Sequence, residues 1–528
     1  MNFTLTDNIV FIAYCLLIVG VGLWVSRDKK GASKNTEDYF LASKSLPWWA
    51  IGASLIASNI SAEQFIGMSG SGFAIGMGIA SYELMAAITL ILVAKFFLPI
   101  FIKEKIFTMP QFLEKRFDSR VRTSLAVFWI FLYVFVNLTS ILYLGALALE
   151  TIMGVELWYG IIALAIFSGV YSIYGGLKAV AWTDVVQVVF LIGGGLITTY
   201  LAVDAVGGNE GVWSGFSALL QKAPEKFDMI LDKNHPAYEH LPGISVLVGG
   251  MWIANLSYWG CNQYIIQRAL AAKSIEEGQK GIIFAGFLKV VLPLIVVVPG
   301  IAAFVLQADL GKADEAYPWL LSTFVPEGLK GLAFAALIAA VVSSLSSMIN
   351  SVSTIFTLDL YKPFIGKNEG EKKLVMIGRM VSVLALLIAV YVAPQLKHLE
   401  QAFQFIQKYT GYVSPGIVVI FLFGLFWKKA TANAALVTAF ISIPISIAVD
   451  NYIFEGMPFI DQMGVNFLLL SGVMVMVSLL DMKYGKAADM MLGKGFSINR
   501  TLFKTNTVFN ATSMALLSAI AAIYALWW

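Results

Sequence analysis

The chain has 528 residues, of which 59% are hydrophobic and only 13% charged, with a formal net charge of +3. Soluble proteins carry about 25% charged residues, so the composition argues against a soluble fold, and the near-neutral balance gives no sign of a nucleic-acid partner. Cys15 and Cys261 lie far apart in apolar runs, with no metal-ligand spacing. The absence of a Gly-rich loop followed by Lys-Ser or Lys-Thr, and of any nucleophile–base pair or cofactor motif, leaves no support for an ATPase or another enzyme.

Many of the apolar runs reach 18 residues or more, the length a helix needs to cross about 30 Å of hydrocarbon. Helices satisfy their own backbone in lipid, and the alternation of a β-barrel is missing. The expected architecture is an all-α polytopic membrane protein with about fourteen spans. In chain order these are 7–26, 47–73, 76–102, 123–149, 157–176, 179–204, 244–268, 279–307, 328–360, 374–393, 399–427, 430–449, 463–481 and 506–527. The first reads as a retained span, because Arg27, Lys29 and Lys30 follow it rather than precede it. Basic residues concentrate in alternate loops: 27–46, 103–122, Lys178, Arg268 with Lys273, Lys362 to Lys373, Lys428 with Lys429, and Lys483 to Lys504. Those loops are therefore assigned to the cytoplasm and both termini to the outside. The long outer loop, about 205–243, reads as a solvated connection in preference to a lid.

Two spans carry polar residues that a lipid-facing helix does not tolerate. The second reads Ala57-Ser58-Asn59-Ile60-Ser61-Ala62-Glu63-Gln64, with Gly67, Gly70 and Gly72 following, and the seventh reads Ile253-Ala254-Asn255-Leu256-Ser257-Tyr258-Trp259. Each has Asn-x-Ser in mid-span and opens a series of five spans, and the two series run in opposite orientation. This is the footprint of an inverted repeat with a broken first helix in each half. Buried amides and carboxylates at membrane depth point to a ligand site, or to hydrogen-bonded glue between helices. Glu83 and Lys289 fit either ligand contacts or a structural ion pair. A sugar offers only hydroxyls, so its site needs mixed donors and acceptors; Asn59, Gln64, Glu83, Asn255, Lys289 and Gln407 supply such a ring. Ala340, Ser343, Ser344 and Ser347 share one helix face, as cation-binding oxygens or as a close-packing surface. Asp184 suits an interfacial carboxylate or a cation path equally, and Tyr258, Trp259 and Phe403 suit core or gate.

With those residues in view, the chain resembles the sodium:solute symporter family along essentially its whole length. Tyr174-Gly175-Gly176-Leu177-Lys178-Ala179 is similar to the family signature. Asn59 to Gln64, Asn255 to Trp259, Gln263 to Arg268 and Phe403 to Gln407 resemble its bacterial sodium/galactose branch. The resemblance implies a LeuT-type five-plus-five inverted repeat. Residues 1–46 would be an extra span and cytoplasmic loop, 47–204 the first repeat, 205–243 an extracellular loop, 244–427 the second repeat and 428–528 three further spans. It implies sodium-coupled uptake of a hexose such as galactose or glucose by a plasma-membrane protein, probed against relatives for sialic acid, inositol or amino acids and against an uncoupled channel or sensor. Asn59, Gln64, Glu83, Asn255, Lys289 and Gln407 would bind the sugar and Tyr258 would stack on it. Met68, Tyr82, Trp259 and Phe403 would gate it. Carbonyls of Ala57, Ile60 and Ala340 and hydroxyls of Ser343 and Ser344 would hold sodium. Asp184, Ser346 and Ser347 would form an exit path or a second sodium site, because Ser346 stands where the branch has alanine. Ala86 stands where the branch has serine, removing one hydroxyl near the sugar. The implied partners are sugar, sodium and membrane lipid, with the protein a monomer or weak homo-oligomer.

Overall fold

The computed structural model describes residues 4–27, 35–61, 63–398, 407–408, 410–484, 496 and 499–528. Among the described residues every named element is helical, and 11 helices are long and apolar enough to cross a membrane. The protein is an all-helical membrane protein. In chain order the principal helices are α1 (Leu5–Val25), α2 (Trp48–Asn59), α3 (Ser69–Ala74), α4 (Met77–Lys103), α5 (Ser119–Met153), α6 (Leu157–Gly175), α7 (Leu177–Val206), α8 (Val212–Lys222), α9 (Met251–Leu256), α10 (Gln263–Leu270), α11 (Ile275–Val305), α12 (Leu329–Phe364), α13 (Glu371–Lys397), α14 (Ser414–Phe426), α15 (Ala432–Ile453), α16 (Phe459–Lys483) and α17 (Thr507–Leu526).

Three expected spans are missing from the set of long helices, each for a visible reason. The segment expected at 47–73 is split: α2 ends at Asn59, Ile60 is extended, and a π-helical turn at Glu63–Met68 leads into α3. The segment expected at 244–268 is split likewise. A π-helical turn at Ser257–Cys261 and the extended Asn262 separate α9 from α10. The segment expected at 399–427 lies partly outside the described residues, and α14 is what remains of it.

Burial orders the bundle. α12 is 94% buried over its most apolar window, whereas α1 is 17% buried, so α12 is the interior helix and α1 is peripheral. α12 packs on α7, α1, α6 and α2, and α11 packs on α2 and α4. α15 and α16 pack on one another and on α14. These contacts hold both broken helices inside the bundle, where their exposed backbone groups find protein partners.

The long loop after α7 departs from expectation. It contains α8 and a short 3-10 turn at Pro224–Phe227, and it is docked rather than merely solvated. Lys226 donates to the carbonyls of Phe73 (3.0 Å) and Ala74 (2.8 Å), capping the end of α3. Its ammonium also lies 4.2 Å from the Phe304 ring centroid. Burial lowers the Lys226 pKa from its ordinary value. The sequence reading missed this because the loop's Gly, Asn and Pro content masks a short amphipathic helix.

α3 is held against α11 by a glycine contact. A Cβ added to Gly300 would lie 1.9 Å from the Ser69 carbonyl oxygen, so only glycine permits this approach. Gly300→Ala is expected to cost about 1–3 kcal/mol of stability through overpacking. Gly193→Ala, with nothing within 4 Å of the added carbon, should melt close to wild type. Thermal melting of the two purified variants in one detergent checks this.

Candidate functional site

The two breaks face each other across one cavity, lined by Asn59, Gln64, Tyr82, Glu83, Ala86, Asn255, Tyr258, Trp259, Lys289 and Gln407 among others. Helix breaks expose backbone groups, and neighbouring side chains take them up. Ser61 N–H donates to Gln64 Oε1 at 2.9 Å, which leaves the Gln64 amide nitrogen as the group that can serve a ligand. Asn59 Nδ2 donates to the Tyr258 hydroxyl at 2.9 Å, while Asn59 Oδ1 is buried without a hydrogen-bond partner. Asn255 Nδ2 donates to the Met251 carbonyl at 3.0 Å, leaving its oxygen as an acceptor. Buried polar atoms are normally satisfied, so an orphaned acceptor in a cavity wall marks a place for a ligand donor.

Glu83 and Lys289 form a buried ion pair, and the Lys289 ammonium lies 5.1 Å from the Trp259 ring centroid. They are the only charged residues among the described residues lining the cavity. The wall therefore presents donors and acceptors with no net charge. Tyr258 and Trp259 meet edge-to-face at 5.1 Å, and the Tyr258 hydroxyl also receives a hydrogen bond from Tyr264. Tyr258 thus ties the first break to the half-helix α10 beneath the cavity.

Beside the first break lies a stretch of neutral oxygens. Ser344 Oγ on α12 is 2.9 Å from the Ser58 carbonyl and 3.4 Å from the Ile60 carbonyl. Ala57, Ala340 and Ser343 are fully buried in the same seam. Such oxygens without fixed charge suit a monovalent hard cation.

One layer further sits Asp184, wholly buried on α7. It accepts hydrogen bonds from Ser343 (2.5 Å), Ser54 (2.5 Å) and Ser58 (3.2 Å), and pairs with Arg268 at 3.4 Å. Arg268 donates also to Ser54 at 2.8 Å and contacts Ser347. This corrects the reading of Arg268 as a cytoplasmic loop cation: it belongs to α10 and is fully buried. Its position at the end of an apolar run suggested a loop; a carboxylate 84 residues earlier in the chain draws it inside. Ser346 donates to the Ser343 carbonyl at 2.9 Å and makes no hydrogen bond to Asp184.

Two of the expected gates do not bear on the described cavity wall in the same way. Met68 is buried but does not line it, because the π-helical turn Glu63–Met68 gives its wall position to Gln64. Phe403 lies outside the described residues. The sequence reading also missed Trp129, Asn262, Thr410, Ser414 and Met463, all in the wall. Met463 lies on α16, where an ordinary apolar span gives no signal.

The profile of the sodium:solute symporter family matches residues 39–442. A sodium/glucose cotransporter from Vibrio parahaemolyticus is 55% identical over 539 residues, covering 99% of this chain and 98% of that protein. The human sodium/myo-inositol cotransporter 2 is 35% identical over 457 residues, covering 81% of this chain and 67% of the relative. A solved structure of a sodium-coupled sialic acid symporter, substrate-bound and outward-open, superposes with a TM-score of 0.79 at 25% identity, covering 91% of this chain and 98% of that one.

Removing one member of a buried ion pair strands the other. Asp184→Asn is expected to destabilise the protein by about 3–5 kcal/mol, and the double variant Asp184→Asn/Arg268→Gln to recover part of that. A double-mutant cycle on thermal stability checks the coupling.

Proposed function

The chain belongs to the sodium:solute symporter family, and from that membership we propose that it carries a neutral hexose, such as glucose or galactose, into the cell together with sodium by alternating access. The observation that carries the choice of cargo is the internal pairing of Glu83 with Lys289. A sialic acid or an amino acid brings a carboxylate, and among the described residues the wall has no unpaired cationic side chain to meet it. A neutral polyol needs only the mixed donors and acceptors at Asn59, Gln64, Glu83, Asn255, Lys289 and Gln407. The names of the Vibrio and human relatives, for glucose and myo-inositol, support the same chemical class.

The proposed architecture is LeuT-type, with fourteen spans, repeats at 47–204 and 244–427, both termini outside, and the broken spans completing the set. Tyr258 stacks on the sugar's inner side, and Tyr82 and Trp259 line its path. Sodium is held by carbonyls of Ala57, Ile60 and Ala340 and by Ser343 and Ser344. Coupling follows from covalent neighbourhood: Ile60 would ligate sodium, Asn59 the sugar, and Gln64 caps the break between them. Fixing the Ile60 carbonyl therefore fixes both sugar ligands. The expected gain in sugar affinity is the usual coupling of about 1–3 kcal/mol. Asp184, Ser346 and Ser347 serve as the inward exit. The Arg268 guanidinium stands against Asp184 and Ser347, so a second sodium there requires Arg268 to withdraw; this favours the exit reading.

Proteoliposomes containing the purified protein should concentrate labelled glucose or galactose when driven only by an inward sodium gradient. Ser344→Ala should raise the sodium concentration for half-maximal uptake about tenfold, the scale of one lost charge-assisted contact. Failure of concentrative uptake of any neutral sugar or polyol would overturn the assignment, and normal sodium dependence in Ser344→Ala would overturn the sodium site. Ser346→Ala should leave the number of sodium ions per sugar unchanged; a fall in that ratio, measured by reversal potential, would restore the second sodium.

A further inference from the structure

On the outside of the bundle, sharing no wall residue with the cavity, α6 and α13 leave an apolar groove of about 670 Å³ between them, lined by Ile166, Gly169, Val170, Val383 and Leu387. Ile166 and Leu387 are each 62% exposed, so the groove is open along its length. A volume of this size falls in the range of ligand sites. Its walls are aliphatic, with a guanidinium at one end.

That guanidinium belongs to Arg379. It donates from Nη2 to the Tyr174 carbonyl at 3.0 Å and lies 5.4 and 5.7 Å from the ring centroids of Tyr174 and Tyr39. Its Nε is buried without a hydrogen-bond partner. Among the described residues no carboxylate pairs with it. An arginine is always charged and offers five donors in a planar fork. An unpaired charge inside a span is costly, so such residues mark partners. Arg379 lies eight residues beyond Glu371, where α13 starts, or about 12 Å along the helix at 1.5 Å per residue. In sequence, Lys178 follows the end of α6 by three residues, and Lys372 and Lys373 stand in the first turn of α13, Lys373 paired with Glu369.

We propose that this groove binds an anionic phospholipid of the phosphatidylglycerol class, with an acyl chain between α6 and α13 and the phosphate on Arg379. The groove supplies the apolar length and Arg379 the charge complement. Basic pockets between membrane helices recognise anionic headgroups in this way. The arrangement is open to the bilayer over the whole groove, as a lipid requires and a soluble anion does not.

The test is native mass spectrometry of the full-length protein in mild detergent, titrated separately with phosphatidylglycerol and phosphatidylcholine. The wild type should bind phosphatidylglycerol more tightly than phosphatidylcholine. Arg379→Gln should weaken phosphatidylglycerol binding about tenfold, the loss expected for a charge-assisted hydrogen bond, and erase the preference. Val383→Trp fills the groove from its rim with Arg379 in place, and should reduce retention of both lipids. Equal binding of the two lipids by the wild type, an unchanged preference in Arg379→Gln, or unchanged retention in Val383→Trp would overturn the proposal. Because the readout is bound lipid, it stands apart from the transport assay.

Discussion

Inside a hydrocarbon layer a backbone N–H or C=O has no water to fall back on, and every helix break must be repaired by a named partner. At the first break Gln64 takes up Ser61 N–H, Ser344 contacts the Ser58 and Ile60 carbonyls, and Lys226 caps the end of α3. At the second, the Tyr133 hydroxyl accepts from Gln263 N–H at 3.1 Å and donates to the Asn262 side chain. Of these groups, Gln64 and Asn262 also line the cavity, and Ser344 stands in the oxygen-rich seam beside it. Structural repair and ligand binding draw on the same few side chains, so the site is no addition to the fold.

The same logic governs charge. A buried ion is tolerable when paired and hydrogen-bonded, and both interior pairs obey that. Glu83 with Lys289 joins α4 to α11 across the cavity, and Asp184 with Arg268 joins α7 to α10 below it. Three serines complete the shell of Asp184. The two layers are linked through Ser58, whose carbonyl meets Ser344 and whose hydroxyl meets Asp184. A change of shape that opens the lower layer must therefore disturb the seam above it.

Much of this was legible in the sequence because lipid makes polarity conspicuous. Asn59, Gln64 and Asn255 stood out as residues with no business in hydrocarbon, and the structure gathers them with Glu83, Lys289 and Gln407 around one cavity. Glu83 and Lys289 were readable as a pair, though not as a pair that also neutralises the wall. Arg268 was not readable as buried, since a cation at the end of an apolar run looks like any loop boundary until its distant carboxylate is placed. Met463 was invisible because a methionine in an apolar span is ordinary, and Lys226 because loop composition hides a docking contact. Two interruptions, and one segment that lies partly outside the described residues, explain why length alone finds 11 continuous apolar helices where hydropathy suggested fourteen segments.

The pairing of Glu83 with Lys289 has an electrical consequence for the proposed cycle. A cavity whose charges cancel, loaded with an uncharged solute, adds nothing to the valence of the moving assembly, so each turnover would displace only the charge of the sodium it carries. A membrane potential of 100 mV, negative inside, then contributes about 2.3 kcal/mol per ion. That is worth roughly a fortyfold sugar gradient at about 1.4 kcal/mol per decade. The cell's voltage, no less than its sodium gradient, would set the ceiling on accumulation.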